Sequence, residues 1–226
     1  MTPVLHMSKV RKAYQGLRPL RIDDLMVADG ERVAISGLDA AASEVLVNLV
    51  TGASVPDEGE VRIDGRSTAS IASGEEWLAS LDRFGIVSPR AVLLEGSTVL
   101  QNLAMPFTLQ IDPIEAAVAD RVRALAAEAG IDPAWLPRQA GDAPPDVRAR
   151  AHLARAVALG PSLLVLEHPT AALPAAASAA FGADVARLAG ERRLATLIIT
   201  EDRTFAARAA HRVFALQAAT GRLVRG

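Results

Sequence analysis

The sequence contains no cysteine among its 226 residues. A disulfide framework and a thiolate metal site are therefore excluded, and the composition fits a reducing compartment. No apolar run of about 18 residues and no secretory signal pattern occurs, so neither a membrane-spanning helix nor export by that route is predicted. The 24 basic residues do not outnumber the 26 acidic ones, and no basic cluster stands out, so binding to nucleic acid is not expected.

What the sequence does contain is a large apolar fraction. Half of the residues are hydrophobic and 22% are charged, which is typical of a globular protein rather than a disordered one. The length suits a single domain over residues 1–226 that carries an inserted helical subdomain at about residues 90–160.

The inserted part is predicted to be helical. An N-cap aspartate, a proline at the first helical position and a glutamate three residues after the cap predict a helix from Asp112 to Gly130. A short helical turn is expected after Asp132, and a third helix ends at Gly160.

Apolar runs on both sides of this insertion predict strands. Two of these runs, residues 163–166 and 195–200, are continuously apolar, as expected of parallel strands covered on both faces. With an alanine-rich helix at residues 174–189 between them, they indicate an α/β fold. The other predicted strands are residues 4–14, 20–27, 31–36, 60–65 (an edge strand) and 212–217.

A glycine-containing loop, Ser36-Gly37-Leu38-Asp39-Ala40-Ala41-Ala42-Ser43-Glu44-Val45, joins the third predicted strand to an amphipathic helix. Strand, loop and helix form the context that a phosphate-binding loop of the type G-x-x-x-x-G-K-[ST] requires. Of its parts only Gly37 is present, because Ala42 stands at the second glycine, Ser43 at the lysine and Glu44 at the hydroxyl that binds Mg²⁺. From the loop alone, an ordinary turn with no ligand is an equal alternative.

Several motifs in a fixed order resemble the ATP-binding cassette (ABC) ATPases of membrane transporters. The resemblance covers nearly the whole chain and is closest to small bacterial subunits that dock on a separate permease. It implies a P-loop NTPase-like α/β fold with a mostly parallel sheet, an N-terminal antiparallel β subdomain and an inserted helical subdomain. The motifs are residues 29–31 (DGE), 51–52 (TG), 59–65 (GEVRIDG), 98–104 (TVLQNLA), 154–156 (ARA), 163–170 (LLVLEHPT) and 200–202 (TED).

The resemblance also implies which positions carry the family's chemistry, and several of them hold other residues. Pro89 stands where the family has a glutamine that senses Mg²⁺ and the γ-phosphate, and Ala-Pro-Pro-Asp-Val at residues 143–147 replaces the L-S-G-G-Q signature. Glu167 keeps a carboxylate at the metal-linked position, but His168 replaces the catalytic glutamate and Glu201 replaces the γ-phosphate histidine. No catalytic residue, metal site or cofactor is therefore expected; ATP and Mg²⁺ are the cofactors if the chain is a working ATPase.

Two of these residues have alternative roles. Tyr14 matches the aromatic residue that stacks on adenine in the family, but it could equally pack against the first sheet. His168 could act as a general base or be a plain polar residue at a strand end. If any nucleotide binds, the expected contacts are weak and involve Tyr14, Gly37, Ala42, Ser43, Glu44 and Val45.

Three functions are open: a non-catalytic subunit of a transporter-like complex, a working transport ATPase with unusual motifs, or a soluble scaffold without a transporter partner. The residues at the catalytic and nucleotide-binding positions are replaced together, which favours the first function, a non-catalytic subunit. The resemblance then implies a permease subunit or another ABC cassette as partner, a possible dimer, and a cytoplasmic location, peripheral at the inner membrane. Docking is predicted within residues 89–107, through Leu93, Leu94, Thr98, Val99 and Asn102. The alternative is that these residues only form the core of the insertion.

Overall fold

A computed structural model describes residues 3–226, which form two β-sheets and seven α-helices. In chain order the elements are β1 (Leu5–Lys12), β2 (Leu20–Val27), β3 (Arg32–Ser36), α1 (Ala40–Val50), β4 (Glu58–Ile63), β5 (Arg66–Ser67), α2 (Gly74–Ser80), β6 (Phe84–Val87), α3 (Val99–Ala104), α4 (Ala116–Glu128), α5 (Pro145–Val157), β7 (Leu163–Glu167), α6 (Ala175–Glu191), β8 (Ala195–Ile199), α7 (Arg203–Ala209), β9 (Arg212–Gln217) and β10 (Arg222–Arg225).

The larger sheet is mostly parallel and carries the centre of the molecule. Its strand order is β10-β9-β3-β8-β7-β6, and only β10 runs antiparallel to its neighbour. Every residue of β7 and β8 is buried, because helices such as α6 cover one face of these strands and α1 with the smaller sheet covers the other. The prediction of two continuously apolar parallel strands is therefore confirmed.

The smaller sheet is antiparallel and is built from the N-terminal part of the chain, in the order β2-β1-β4-β5. This arrangement confirms the expected antiparallel β subdomain. The interpretation of residues 60–65 as an edge strand was wrong, since β4 pairs with β1 on one side and with β5 on the other. The turn at Gly65 (φ 79°) leads directly into strand β5. Because β5 has only two residues, it is too short to show an alternation of polar and apolar residues in the sequence.

The helical insertion consists of α3, α4 and α5, which pack around Leu103, Val122 and Leu153, each fully buried. Here the predicted start of α4 was wrong, because Asp112 lies in a turn and the helix begins at Ala116. The Gln101 side chain of α3 donates a hydrogen bond to the Ile111 carbonyl oxygen (3.1 Å), which holds the preceding segment against α3. The contact between Gln101 and Ile111 thus outweighs the helix-start signals at Asp112 and Pro113, and the helix begins later, at Ala116.

We expect Gly85→Ala to destabilise the fold. Gly85 lies in β6, and an added Cβ would stand 2.3 Å from the Ala156 carbonyl oxygen of α5, so this helix would have to move. Such overpacking costs about 1–3 kcal/mol of unfolding free energy, measurable by urea denaturation. The control is Gly74→Ala at the start of α2, where a Cβ meets no heavy atom within 4 Å. Equal stability of both variants would contradict this packing.

Candidate functional site

The candidate site lies at the carboxyl ends of three neighbouring parallel strands, β3, β8 and β7. Ligands of α/β proteins commonly bind at this edge, since the loops that follow adjacent strands meet there. The loops bring Gly37 and Ser43, which follow β3, close to His168 after β7 and to Glu201 after β8. The fold therefore assembles residues that are far apart in the sequence into one site.

The chain's own carboxylates hold the backbone N–H groups of the loop. The Gly37 N–H donates a hydrogen bond to Glu201 Oε1 (2.6 Å), and the Ala42 N–H donates to Asp39 Oδ1 (2.8 Å). Asp39 is the N-cap residue of α1. Free N–H groups and the positive end of the helix dipole make such a terminus suitable for an anion. Here two side-chain carboxylates already provide that anion.

Gly37 has a structural role that requires no ligand. Its φ is +89°, and an added Cβ would lie 2.8 Å from the Leu216 carbonyl oxygen of β9. Only glycine combines this backbone conformation with so close an approach of two backbones. The single surviving glycine of the motif is thus explained by packing against the neighbouring strand.

His168 and Ser43 bind each other across the site. Ser43 Oγ lies 3.0 Å from His168 Nε2 and 2.8 Å from the Asp39 carbonyl oxygen, to which the hydroxyl donates its proton. Since a serine hydroxyl has one proton, this geometry assigns His168 Nε2–H as the donor to Ser43. The histidine thereby connects the end of β7 to α1, and its Nε2 is engaged within the protein.

Arg90 provides the positive charge of the site. Its guanidinium group donates two hydrogen bonds to Glu167, at 3.1 and 2.7 Å, and lies 3.7 Å from the Glu44 carboxylate. Glu167 is only 2% exposed, so its charge depends on this partner. Sequence reasoning missed Arg90, although it directly follows Pro89. The one signal in the sequence was that no lysine lies near Glu44 or Glu167 to compensate their negative charges.

Pro89 and Tyr14 lie beside these contacts. Pro89 is exposed and lines the cleft next to His168. Tyr14 is half-buried and packs against the core of the first sheet. Burial and the nearby Asp39 carboxylate raise the pKa of the Tyr14 phenol. The Tyr14 ring thus lies near a negative charge.

The segment that replaces the signature motif forms the start of α5. Pro144 is the N-cap residue and Pro145 the first helical residue, so neither position offers an N–H donor. Asp146 pairs with Arg150 at 2.8 Å, and Arg150 also binds Asp184 at 2.8 Å. The charged side chains of this helix start are therefore engaged within the chain.

Comparison with known sequences decides the family. Residues 20–171, more than half of the chain, match the sequence model described as ABC transporter. The chain belongs to the ABC transporter family. This ABC cassette is 33% identical over 199 residues to the lipoprotein-releasing system ATP-binding protein LolD of Chromohalobacter salexigens, covering 87% of the cassette and 82% of LolD. LolD of Alcanivorax borkumensis is 32% identical over 211 residues, covering 92% of each chain.

Other relatives are longer. The Fe(3+) ions import ATP-binding protein FbpC of Mesorhizobium japonicum is 30% identical over 198 residues, which are 88% of the cassette and 53% of FbpC. Among solved structures, CbiO1 from Clostridium perfringens superimposes with a TM-score of 0.82 at 20% identity, over 99% of the cassette and 88% of CbiO1. A dimeric cassette bound to ADP and Pi superimposes with a TM-score of 0.78 at 21% identity, over 98% of both chains. These structures confirm the ABC fold.

Two features are absent from residues 3–226. None of the helices in this part of the cassette is long and apolar enough to cross a membrane. The same residues contain no group of three histidine, aspartate or glutamate side chains arranged to hold a metal ion.

The predicted docking residues divide into buried and exposed ones. Leu93, Val99 and Asn102 are buried within the chain, so their side chains do not form an exposed docking surface in this structure. Asn102 binds both the N–H and the carbonyl oxygen of Leu94, at 2.8 and 3.0 Å, and thereby shapes the loop before α3. Thr98 caps α3 in a capping box. Only Leu94 of the five, 47% exposed, presents an apolar side chain to solvent.

Beside this loop lies a cleft of about 550 Å³ between the helical insertion and the parallel sheet. Val92, which is 68% exposed, and Pro89 line its apolar side. Arg148 and His152 of α5 line the opposite side. Burial, with smaller effects from Arg155 and Arg148, lowers the pKa of His152, so its imidazole is neutral at neutral pH. The cleft therefore combines apolar walls with a few polar groups.

We expect Arg90→Ala to destabilise the cassette because it leaves the buried Glu167 carboxylate unpaired. Since the Arg90 side chain is 47% exposed, water will compensate part of the loss, and we expect about 1–3 kcal/mol in denaturant unfolding. Adding Glu167→Gln should recover part of this loss, because the neutral amide needs no cation.

The matched control for Arg90→Ala is Arg148→Ala. Arg148 pairs with Glu95 at the surface (3.2 Å), and its loss should change stability by less than about 1 kcal/mol. Similar losses in both variants, or no recovery on adding Glu167→Gln, would show that the pair with Glu167 does not stabilise the site.

Proposed function

We propose that this ABC cassette is a non-hydrolysing docking or regulatory subunit of a membrane transporter-like complex, peripheral at the cytoplasmic face of the inner membrane. The observation that carries the proposal is that the chain's own charged side chains bind each other and the N–H groups of the loop. Glu201 and Asp39 bind loop N–H groups, and Arg90 binds Glu167 at the metal-linked position.

The charges around the loop support this interpretation. Four carboxylates, those of Asp39, Glu44, Glu167 and Glu201, lie in the site with the single guanidinium of Arg90. A triphosphate that entered would have to displace Glu201 from Gly37 and would face the remaining negative charge. At about 4 Å and an effective dielectric constant of about 20, each uncompensated pair of like charges costs about 4 kcal/mol.

A second candidate is a working transport ATPase with unusual motifs. It is favoured by the relatives, which are named as ATP-binding proteins of lipoprotein release and of iron import. In that case ATP and Mg²⁺ would be its cofactors. Nucleotide binding distinguishes the two candidates.

We expect MgATP to leave the melting temperature of the purified cassette unchanged, because the N–H groups of Gly37 and Ala42 and the Glu167 carboxylate already have partners. Binding at a concentration of 100 times Kd would add about 2.7 kcal/mol of stability, which a melting curve detects readily. LolD of Alcanivorax borkumensis, assayed in parallel, serves as the positive control. A saturable shift at micromolar MgATP would reject the interpretation that the chain's own groups block the nucleotide site.

The proposed partner is a permease subunit or another cassette that contacts the loop before α3. Val92 and Leu94 are exposed there, and exposed apolar residues beside a cleft commonly mark a protein-binding surface. Arg155 of α5 donates a hydrogen bond to the Val92 carbonyl oxygen (2.7 Å), and Arg90 ties the start of the same loop to the sheet. The surface is therefore formed without nucleotide.

We expect Leu94→Asp to reduce the membrane-bound fraction of the cassette about fivefold or more, since a charge at the centre of an interface costs more than about 1 kcal/mol. Membrane fractionation with quantitative blotting measures this fraction. Leu17→Asp is the matched control, because Leu17 is an exposed leucine too but lies on the loop between β1 and β2.

Melting curves of both variants check that the fold is intact. Leu93→Asp is unsuitable for this experiment, because Leu93 is buried and its substitution would destabilise the core. If the unmodified chain is wholly soluble, or if Leu17→Asp has the same effect as Leu94→Asp, the docking surface is not the one proposed.

A further inference from the structure

The contact between Glu201 and Gly37 joins two loops at the candidate site. Glu201 follows β8, and its Oε1 accepts a hydrogen bond of 2.6 Å from the Gly37 N–H, 164 positions away in the sequence. A charged acceptor makes such a bond stronger than one between two neutral groups. The side chain of Glu201 thus connects the end of β8 to the loop that follows β3.

The fold holds both partners of this contact in place. Gly37, with φ +89°, lies against the backbone of β9. The Thr200 N–H donates a hydrogen bond to the Ile35 carbonyl oxygen of β3 (3.0 Å), so the residue that follows Thr200 lies beside the end of β3. Asp202, the next residue, is the N-cap of α7, which fixes the turn on its other side. The Glu201 carboxylate therefore needs little additional ordering to reach Gly37.

The other three carboxylates of the site have different partners. Asp39 is the N-cap residue of α1. Glu44 and Glu167 both lie beside the Arg90 guanidinium group, at 3.7 and 2.7 Å. Glu201 differs from them, because it occupies the N–H group of the loop's glycine, and backbone N–H groups at such a position are the donors that phosphate oxygens accept from. A phosphate group thus competes with Glu201 for the same donor.

The first turn of α1 has further donors for an anion. The N–H groups of Ala40 and Ala41 have no acceptor within residues 3–226, as is usual at the start of a helix. Both residues and Gly37 are exposed. If Glu201 released Gly37, these three N–H groups and the positive end of the helix dipole would favour an anion in its place.

We propose that Glu201 is an autoinhibitory carboxylate whose bond to Gly37 closes this loop to phosphate groups. The inference rests on the proposed non-hydrolysing function and adds the contact that controls access to the site. An acceptor tethered within the same chain acts at an effective concentration on the order of 1 mM or more, so a free anion at a lower concentration does not displace it. Removal of the carboxylate opens the loop to a diphosphate.

The experiment is an NMR titration of the ¹⁵N-labelled full chain with inorganic pyrophosphate in the absence of Mg²⁺. We expect no saturable shift in the unmodified chain up to about 10 mM. Glu201→Ala should give saturable shifts of amides in residues 37–45 with a Kd on the order of 1 mM, at least about tenfold tighter. Glu201→Gln keeps a neutral acceptor for the Gly37 N–H, and we expect it to bind pyrophosphate with intermediate affinity.

Glu191→Ala is the matched control. Glu191 is a glutamate of α6 whose side chain is 54% exposed and pairs with Arg187. Its removal changes the net charge of the chain by the same amount as Glu201→Ala but leaves the candidate site intact. This variant should behave as the unmodified chain does.

Three results would overturn the autoinhibitory role of Glu201. If a folded Glu201→Ala chain shows no saturable shift, Glu201 does not close the loop, and the proposed non-hydrolysing function still stands. If the unmodified chain binds pyrophosphate with a Kd within about twofold of that variant, the contact is no barrier. A melting shift with MgATP would then reject the proposed function as well. Equal binding by Glu191→Ala would reveal a general effect of net charge.

The dispersion of each variant's amide spectrum shows whether it is folded. If Glu201→Ala does not fold, the comparison of Glu201→Gln with the unmodified chain decides the outcome, because this substitution removes the charge and keeps the size of the side chain. Equal affinity of these two chains for pyrophosphate would then overturn the proposal.

Discussion

The neutralisation of one buried carboxylate governs the arrangement of the candidate site. Glu167 ends a strand in which every residue is buried and is itself 2% exposed, so it requires a cation within the protein. Arg90 supplies that charge through two hydrogen bonds. Because Arg90 begins the loop that carries Val92 and Leu94, the ion pair also fixes this loop to the central sheet. The ion pair between Arg90 and Glu167 thus helps to set the position of the exposed apolar residues Val92 and Leu94.

The same principle applies at the start of α1. An N-terminus with free N–H groups attracts negative charge, and Asp39 and Glu201 provide it. His168 and Ser43 complete the connection between α1 and β7. The N–H groups of Gly37 and Ala42 and the carboxylate of Glu167 thus each have a partner from the chain. The site is therefore held together by its own side chains, and a ligand is not needed to satisfy them.

The fold is retained because most of its stability comes from apolar packing and not from these chemical positions. The two central strands consist entirely of buried residues. The solved cassettes share the fold, with TM-scores of 0.78 and 0.82 at 21% and 20% identity. Packing of this kind tolerates extensive substitution at strand ends, where loops carry the chemistry. Membership of the family therefore establishes the architecture, whereas activity depends on residues that the architecture leaves free to vary.

The sequence by itself determined the elements whose signals are local. Continuous apolar runs predicted β7 and β8, and strand, loop and helix around Gly37 placed the candidate site, because backbone periodicity and turn chemistry depend on neighbouring residues. Only the tertiary structure decided that Arg90 binds Glu167, 77 positions away, and that Gly37 binds Glu201, 164 positions away. It also decided that Leu94 is exposed while Val99 is buried. These pairings depend on which parallel strands lie side by side, and no local pattern contains that information.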